Sequence, residues 1–187
     1  MRRLTPIDLA IAALLALGLG VVYFRTLMPD IGSADAADLT TAAVSLGIPH
    51  PSGYPLYTLL GWLASRFTPH SPALGVNALS AVSFALAGGV AYLATVQWAR
   101  SRWGGVVACL AMGLDPRVWH NATVAEVFGL NNLLAALILW LGLRLAMGEG
   151  SQPRQAILIL FLYGLGASHH HTLAFTLPAV AVLFWRA

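Results

Sequence analysis

Long apolar stretches alternate with short polar ones along this chain. No charged residue occurs from Leu9 to Phe24, Phe67 to Ala99, Trp103 to Leu114, Val127 to Leu143 or Gln155 to Trp185. A helix rises about 1.5 Å per residue, so roughly 20 residues cross about 30 Å of hydrocarbon. The first stretch predicts a span beginning near Ile7. Pro69 and Pro72 interrupt the second, which predicts a span over Leu74 to Trp98. The third is short and the fourth is of span length. Ser168-His169-His170-His171 divides the fifth into two short helices meeting at a polar turn. These add to six crossings. Leu56, Leu59, Leu60, Leu63 and Phe67 recur at helical spacing and predict a short helix on the outer surface, not a further crossing. Ser33 to Thr41 predicts the start of another, so the first outer loop, 26–73, holds a pair of short amphipathic helices. The fold class expected is an all-α polytopic transmembrane bundle.

Composition supports that class. Hydrophobic residues make up 58% of the 187 and charged residues 9%, where a soluble domain carries about 25% charge. Cys109 is alone, which excludes a disulfide scaffold. The net charge of +3 is scattered and forms no basic run to track phosphates, so nucleic acid is not an expected partner; the lipid bilayer is. The arginines set the orientation. With Arg2 and Arg3 in the cytoplasm, six crossings also place Arg100, Arg102, Arg144, Arg154 and Arg186 inside, and leave only Arg25, Arg66 and Arg117 at the outer side. The Met1-Arg2-Arg3 start and the apolar run behind it read as a retained signal-anchor helix.

That orientation, built on arginines and hydropathy, gathers the other polar residues on one face. All six histidines fall outside, with Asp30, Asp35, Asp38 and Glu126, and Asp115 near that boundary; Asp8 and Glu149 sit near the inner face. Asp35 and Asp38, three apart, share a helix face that Thr41 and Ser45 continue, with Leu39, Ala43 and Leu46 on another. Acids there complement a helix dipole, hold a metal, or serve as a general base when one raises the pKa of the other. In Gly47-Ile48-Pro49-His50-Pro51-Ser52-Gly53-Tyr54-Pro55 three prolines and two glycines stiffen a loop that presents His50 and Tyr54. Glu126 stands at the mouth of an apolar helix, where burying an acid at membrane depth costs about 2.5–3.5 kcal/mol. Asn77, Asn131 and Asn132 are placed for interhelical hydrogen bonds. Successive residues of His169-His170-His171 point about 100° apart on a helix, so one or two of them face a site, as metal ligands, as a polar helix end or as contacts to an anionic ligand.

Two blocks carry a resemblance. Asp35-Ala36-Ala37-Asp38 after the first span, and Leu46-Gly47-Ile48-Pro49-His50-Pro51-Ser52-Gly53-Tyr54-Pro55-Leu56-Tyr57, resemble the bacterial multipass membrane family related to protein O-mannosyltransferases, within the GT-C glycosyltransferases. Trp119, Ala125-Glu126-Val127-Phe128-Gly129-Leu130-Asn131 and Gly164-Leu165-Gly166-Ala167-Ser168-His169-His170-His171-Thr172-Leu173 extend it, from about residue 7 to the end. The resemblance implies sugar transfer from a polyprenyl-phosphate carrier to a hydroxyl of a protein or glycan, at the exterior face of a bacterial inner membrane. It assigns the catalytic base to Asp35 or Asp38, although Ala37 and Asp38 stand where relatives often carry Gly-Glu. His50, Arg117 or a histidine of 169–171 would stabilise the departing phosphate, and Tyr54 and Glu126 would help position substrate. A divalent cation is a possible cofactor. Relatives continue through further helices, so residues 1–187 read as one GT-C-like module, an N-terminal piece or a compact member. The competing readings are a non-catalytic membrane subunit that binds a polyprenyl carrier, a transporter (for which an inverted repeat is expected) and a metal-dependent hydrolase.

Overall fold

The computed structural model describes residues 2–150 and 152–185, and all regular structure among them is helical. The helices are α1 (Pro6–Arg25), α2 (Asp35–Ser45), α3 (Pro55–Arg66), α4 (Pro72–Ala99), α5 (Arg102–Gly113), α6 (Pro116–Thr123), α7 (Phe128–Ala146), α8 (Gln152–Ala167) and α9 (Leu177–Trp185), with a 3-10 helix at His171–Thr176. Three of them, α1, α4 and α7, are long and apolar enough to cross a membrane. The predicted outer pair is α2 and α3, and the apolar stretch split by histidines does form two short helices about a turn. Twelve-residue α5 is about 18 Å long, well short of the hydrocarbon thickness. Arg186, placed inside by the arginine pattern, lies outside the described residues.

Local chemistry sets the helix ends. Thr5 and Asp8 form a reciprocal capping box, with Pro6 supplying the preset φ of a first turn. Asp115 caps α6 by accepting from the Arg117 and Val118 N–H groups. Pro55 and Pro72 open α3 and α4.

At 28 residues, α4 is the central post, packing against α1, α3, α5 and α7. Small residues permit that. A methyl group added at Gly75 would sit 2.5 Å from the Ala64 carbonyl oxygen of α3, and one at Gly89 would sit 3.1 Å from the Ala12 carbonyl oxygen of α1. Without a hydrophobic effect between helices in lipid, such close backbone approach is what holds them together. Tyr23, Phe84 and Tyr92 fill the core between α1, α4 and α5; Leu39, Tyr57, Leu130 and Ile138 fill the one between α2, α3, α4 and α7. The apolar stripe of α3 is divided: Leu56 and Leu60 pack against the second core, and Leu59, Leu63 and Phe67 face away from it. Leu59, Leu63 and Phe67 are 59%, 50% and 80% exposed, while Tyr57, Thr58, Gly61 and Ser65 are buried against the protein. The packing face of α3 therefore combines Tyr57, Thr58, Gly61 and Ser65 with the flanking Leu56 and Leu60, and only the outer part of its apolar stripe is left for lipid.

Asp8 and Gln97 mark one end of the bundle, Asn77 and Ser80 the other. Seventeen residues of α4 separate Ser80 from Gln97, about 26 Å. At the first end Asp8, fully buried, accepts from Arg2 (2.5 Å) and from Arg102 Nε (2.7 Å). The arginines that the sequence places inside thus meet the acid that it places beside them.

Candidate functional site

At the other end the first loop, the α6–α7 junction and the turn after α8 come together. Asn77, completely buried on α4, pins the first loop by donating to the Met28 and Asp30 carbonyls at 2.8 and 3.1 Å. Ser80, a turn further along α4, makes a reciprocal pair with Glu126. The Glu126 N–H donates to Ser80 Oγ (3.0 Å), and the Ser80 hydroxyl donates to the Glu126 carbonyl (3.1 Å). The Leu56 N–H donates to the Ser168 carbonyl at 3.3 Å, tying the start of α3 to the histidine turn.

Asp38 is engaged with His50. One carboxylate oxygen accepts the His50 N–H (2.8 Å) and contacts His50 Nδ1 (2.8 Å). These bonds, the backbone one first, hold the Asp38 carboxyl below the usual carboxylate range. A carboxylate has no proton to give, so Nδ1 carries the hydrogen and Nε2 faces the Tyr54 hydroxyl, 3.2 Å away. Tyr54, a buried residue, holds a left-handed backbone (φ 42°) after Gly53 (φ 92°). Ala34, just before Asp35, also has positive φ (54°). Non-glycine residues held this way cost of order 1–3 kcal/mol, and such strain concentrates at functional sites. The Tyr54 ring stacks on His170 at 5.7 Å between centroids, the planes 11° apart, and meets His169 edge-on. A continuous file thus runs Asp38, His50, Tyr54, His170.

His169 is almost wholly buried. Its Nε2 lies 2.9 Å from the Val127 carbonyl oxygen, which can only accept, so Nε2 carries the hydrogen. Nδ1 is then a bare acceptor, buried and without a partner. Burial pushes the pKa of His169 down to about 4, and lowers that of His170 as well. The His170 Nδ1 accepts from Thr172, whose hydroxyl oxygen in turn accepts from Asn131 Nδ2 at 3.2 Å. The Asn131 carbonyl oxygen is a second buried acceptor with no partner.

Glu126 is partly buried, and burial raises its pKa, with the charge of Asp35 adding to the effect. Asp35, 91 positions away in sequence, is thus close enough for its charge to act on Glu126, while Asp38 is engaged by His50. Asp35 itself is exposed at the start of α2 and makes no hydrogen bond through its side chain. Arg117 stays apart: its guanidinium is exposed and has no partner among the described residues. Leu46, expected on the apolar face of α2, instead ends the helix in a left-handed turn and is half exposed. Among the described residues no three histidine, cysteine, aspartate or glutamate side chains converge as a metal centre.

Sequence reasoning did not single out Ser80, Tyr57 or Thr172. Ser80 sits in an apolar helix with no spacing to mark it, and Thr172 lies in the 3-10 helix, within the histidine block of the resemblance but with no role assigned there. Tyr57 was inside the quoted Tyr-Pro-Leu-Tyr block, and proves to be fully buried, stacked on His169 at 6.2 Å.

These observations define an all-helical integral membrane protein with its acids and imidazoles concentrated at one end. The chain belongs to the family described as the protein O-mannosyl-transferase TMEM260 N-terminal domain, whose model matches residues 35–187 and so begins at Asp35. It is 28% identical over 191 residues to the protein O-mannosyl-transferase tmem260 of Dictyostelium discoideum, covering 95% of this chain and 23% of that protein. It is 33% identical over 155 residues to the protein O-mannosyl-transferase TMEM260 of Mus musculus, covering 81% of this chain and 22% of that protein. The chain thus spans less than a quarter of the length of these relatives. No solved structure matches it.

Proposed function

We propose that the chain is the membrane module of a GT-C-type glycosyltransferase, moving a sugar from a polyprenyl-phosphate-linked donor to the hydroxyl of a protein or glycan acceptor. The family and the names of its relatives support sugar transfer to protein. The observation that carries the chemistry is the exposed carboxylate of Asp35, without a side-chain hydrogen bond among the described residues, at the end of the bundle that also holds Asp38, His50, Glu126 and His170. In our reading α5, α8 and α9 are shorter crossings that join α1, α4 and α7 to make six. The site then faces the exterior of a bacterial inner membrane, as the arginine distribution and the resemblance favour.

Inverting transfer needs a base at the acceptor and relief of charge at the leaving group. Asp35 takes the proton of the acceptor hydroxyl as its oxygen bonds to the anomeric carbon. The bond from that carbon to the phosphate oxygen breaks with its electron pair, and the carrier phosphate departs. His170, whose Nδ1 accepts from Thr172, supplies its Nε2–H to that phosphate, while His50, with Nδ1 on Asp38 and Nε2 on the Tyr54 hydroxyl, holds the tyrosine that backs it. Asp38 is a positioning residue in this scheme. Glu126 and the bare acceptor atoms of His169 and Asn131 suit the hydroxyl groups of a sugar. Arg117 would reach a substrate only from the rim.

The test is Asp35→Asn in membranes, with transfer from a polyprenyl-phosphate sugar as readout. A positioned general base contributes about 10²–10⁴-fold, and a loss of that order with normal protein level is expected. Full activity in Asp35→Asn would remove Asp35 as the base.

A further inference from the structure

A polar cavity lies at the end of the bundle opposite the candidate site, and sugar transfer makes no use of it. Arg3, Leu4 and Leu9 at the entry to α1 face Trp140 and Arg144 of α7 and Glu149 and Gly150 of the following turn, across about 380 Å³. Its walls are set by contacts from two helices. The Trp140 indole N–H donates to Gln97 Oε1 at 2.6 Å, and Gln97 Nε2 donates to one Glu149 carboxylate oxygen at 3.0 Å. The Arg144 guanidinium lies over the Trp140 ring, 5.3 Å from its centroid.

The charges are poorly matched within the cavity. Arg144 Nε comes no nearer than 3.9 Å to Glu149, beyond hydrogen-bond reach, and both Arg144 Nε and the second Glu149 oxygen are buried without partners. Arg3 is exposed and has no ion pair among the described residues. Two guanidinium groups therefore line the cavity against one carboxylate that a neutral amide already serves. Leu4, Leu9 and Trp140 supply an apolar wall beside them, and Leu9 is 53% exposed on the outward face of α1. Planar guanidinium groups pair well with phosphate oxygens, and basic pockets between helices at the arginine-rich side of a membrane take anionic headgroups.

We propose that this cavity binds the phosphate of an anionic lipid headgroup, with Arg3 and Arg144 on the phosphate and the lipid chain running along Leu9. The shared chemistry with a free phosphate ion is resolved by the test. Purified protein in neutral detergent is unfolded thermally, followed by tryptophan fluorescence, with phosphatidylglycerol, phosphatidylcholine or inorganic phosphate added. Wild type is compared with Arg3→Gln, Arg144→Gln and Arg154→Gln; Arg154 is exposed and lies outside the cavity. Phosphatidylglycerol is expected to raise the midpoint by about 5 °C in wild type and in Arg154→Gln. Less than half of that gain should remain in Arg3→Gln or Arg144→Gln. Because Arg144→Gln disturbs the Trp140 stack, exposed Arg3 gives the decisive variant. The proposal is overturned by equal effects of both phospholipids, by an equal shift from inorganic phosphate, or by an Arg154→Gln loss matching that of Arg3→Gln.

Discussion

The two ends of this bundle treat an aspartate in opposite ways. Asp8 is sealed in, with Arg2, Arg102 and both the hydroxyl and the N–H of Thr5 saturating its oxygens. At the far end Asp35 is bare, Asp38 is nearly half exposed on a single histidine, and His169 and Asn131 keep buried acceptors unpaired. A buried acid with every lone pair answered is a structural rivet. Acids and imidazoles left short of partners, beside two residues with positive φ, form an arrangement that a ligand would complete.

The contrast is sharpest in stability. Asp8→Ala removes the acid that accepts from Arg2, Arg102 and Thr5 and completes the α1 cap, and is expected to cost about 2–3 kcal/mol, whereas Asp38→Ala, on the exposed pair, should change stability little. Denaturant or thermal unfolding in detergent measures both, and similar costs would erase the distinction between the ends. Acid is the next lever. His169 is neutral in the fold with its pKa near 4, below the ordinary 6.5. The stability that its neutral form contributes is fully present above about pH 6.5 and is lost as pH falls toward 4, on the order of 2–3 kcal/mol. Unfolding midpoints taken from pH 7 to 4 should fall in wild type and fall less in His169→Gln; parallel slopes would show that other groups govern acid sensitivity. A more local effect is expected for Ser80→Ala. It removes a reciprocal pair with the Glu126 backbone and should cost about 1–2 kcal/mol. Hydrogen exchange at the Glu126 amide should rise in that variant while the amides around Asp8 stay protected.

Hydropathy made the helical class, the short pair α2 and α3, and the split last stretch readable in advance, because each depends on short-range periodicity. The span count was less readable: α5 is only 12 residues long, and chain composition alone does not say whether so short a helix crosses. The candidate site was legible as a set of residue types near one face, but not as a set of partners. Spacing pairs Asp35 with Asp38. The folded loop instead turns His50 back onto Asp38 across twelve residues and leaves Asp35 without a side-chain hydrogen bond among the described residues. Only tertiary packing decides that, and the same holds for Ser80 and Thr172, whose hydroxyls carry no signal in sequence. The leucines of α3 were legible as a stripe, while their direction depended on Gly61 and Gly75 letting the opposite side close onto its neighbours.

The bond from Leu56 to Ser168 reaches across more than half the chain. With Tyr54 wedged between His50 and His170, it clamps an early hairpin bend to a late one, so neither can swing alone. A tilt in the final helices would be felt as a displacement of the Asp38–His50 couple, and the alignment of the candidate site is thereby geared to how the last hydrophobic segments sit.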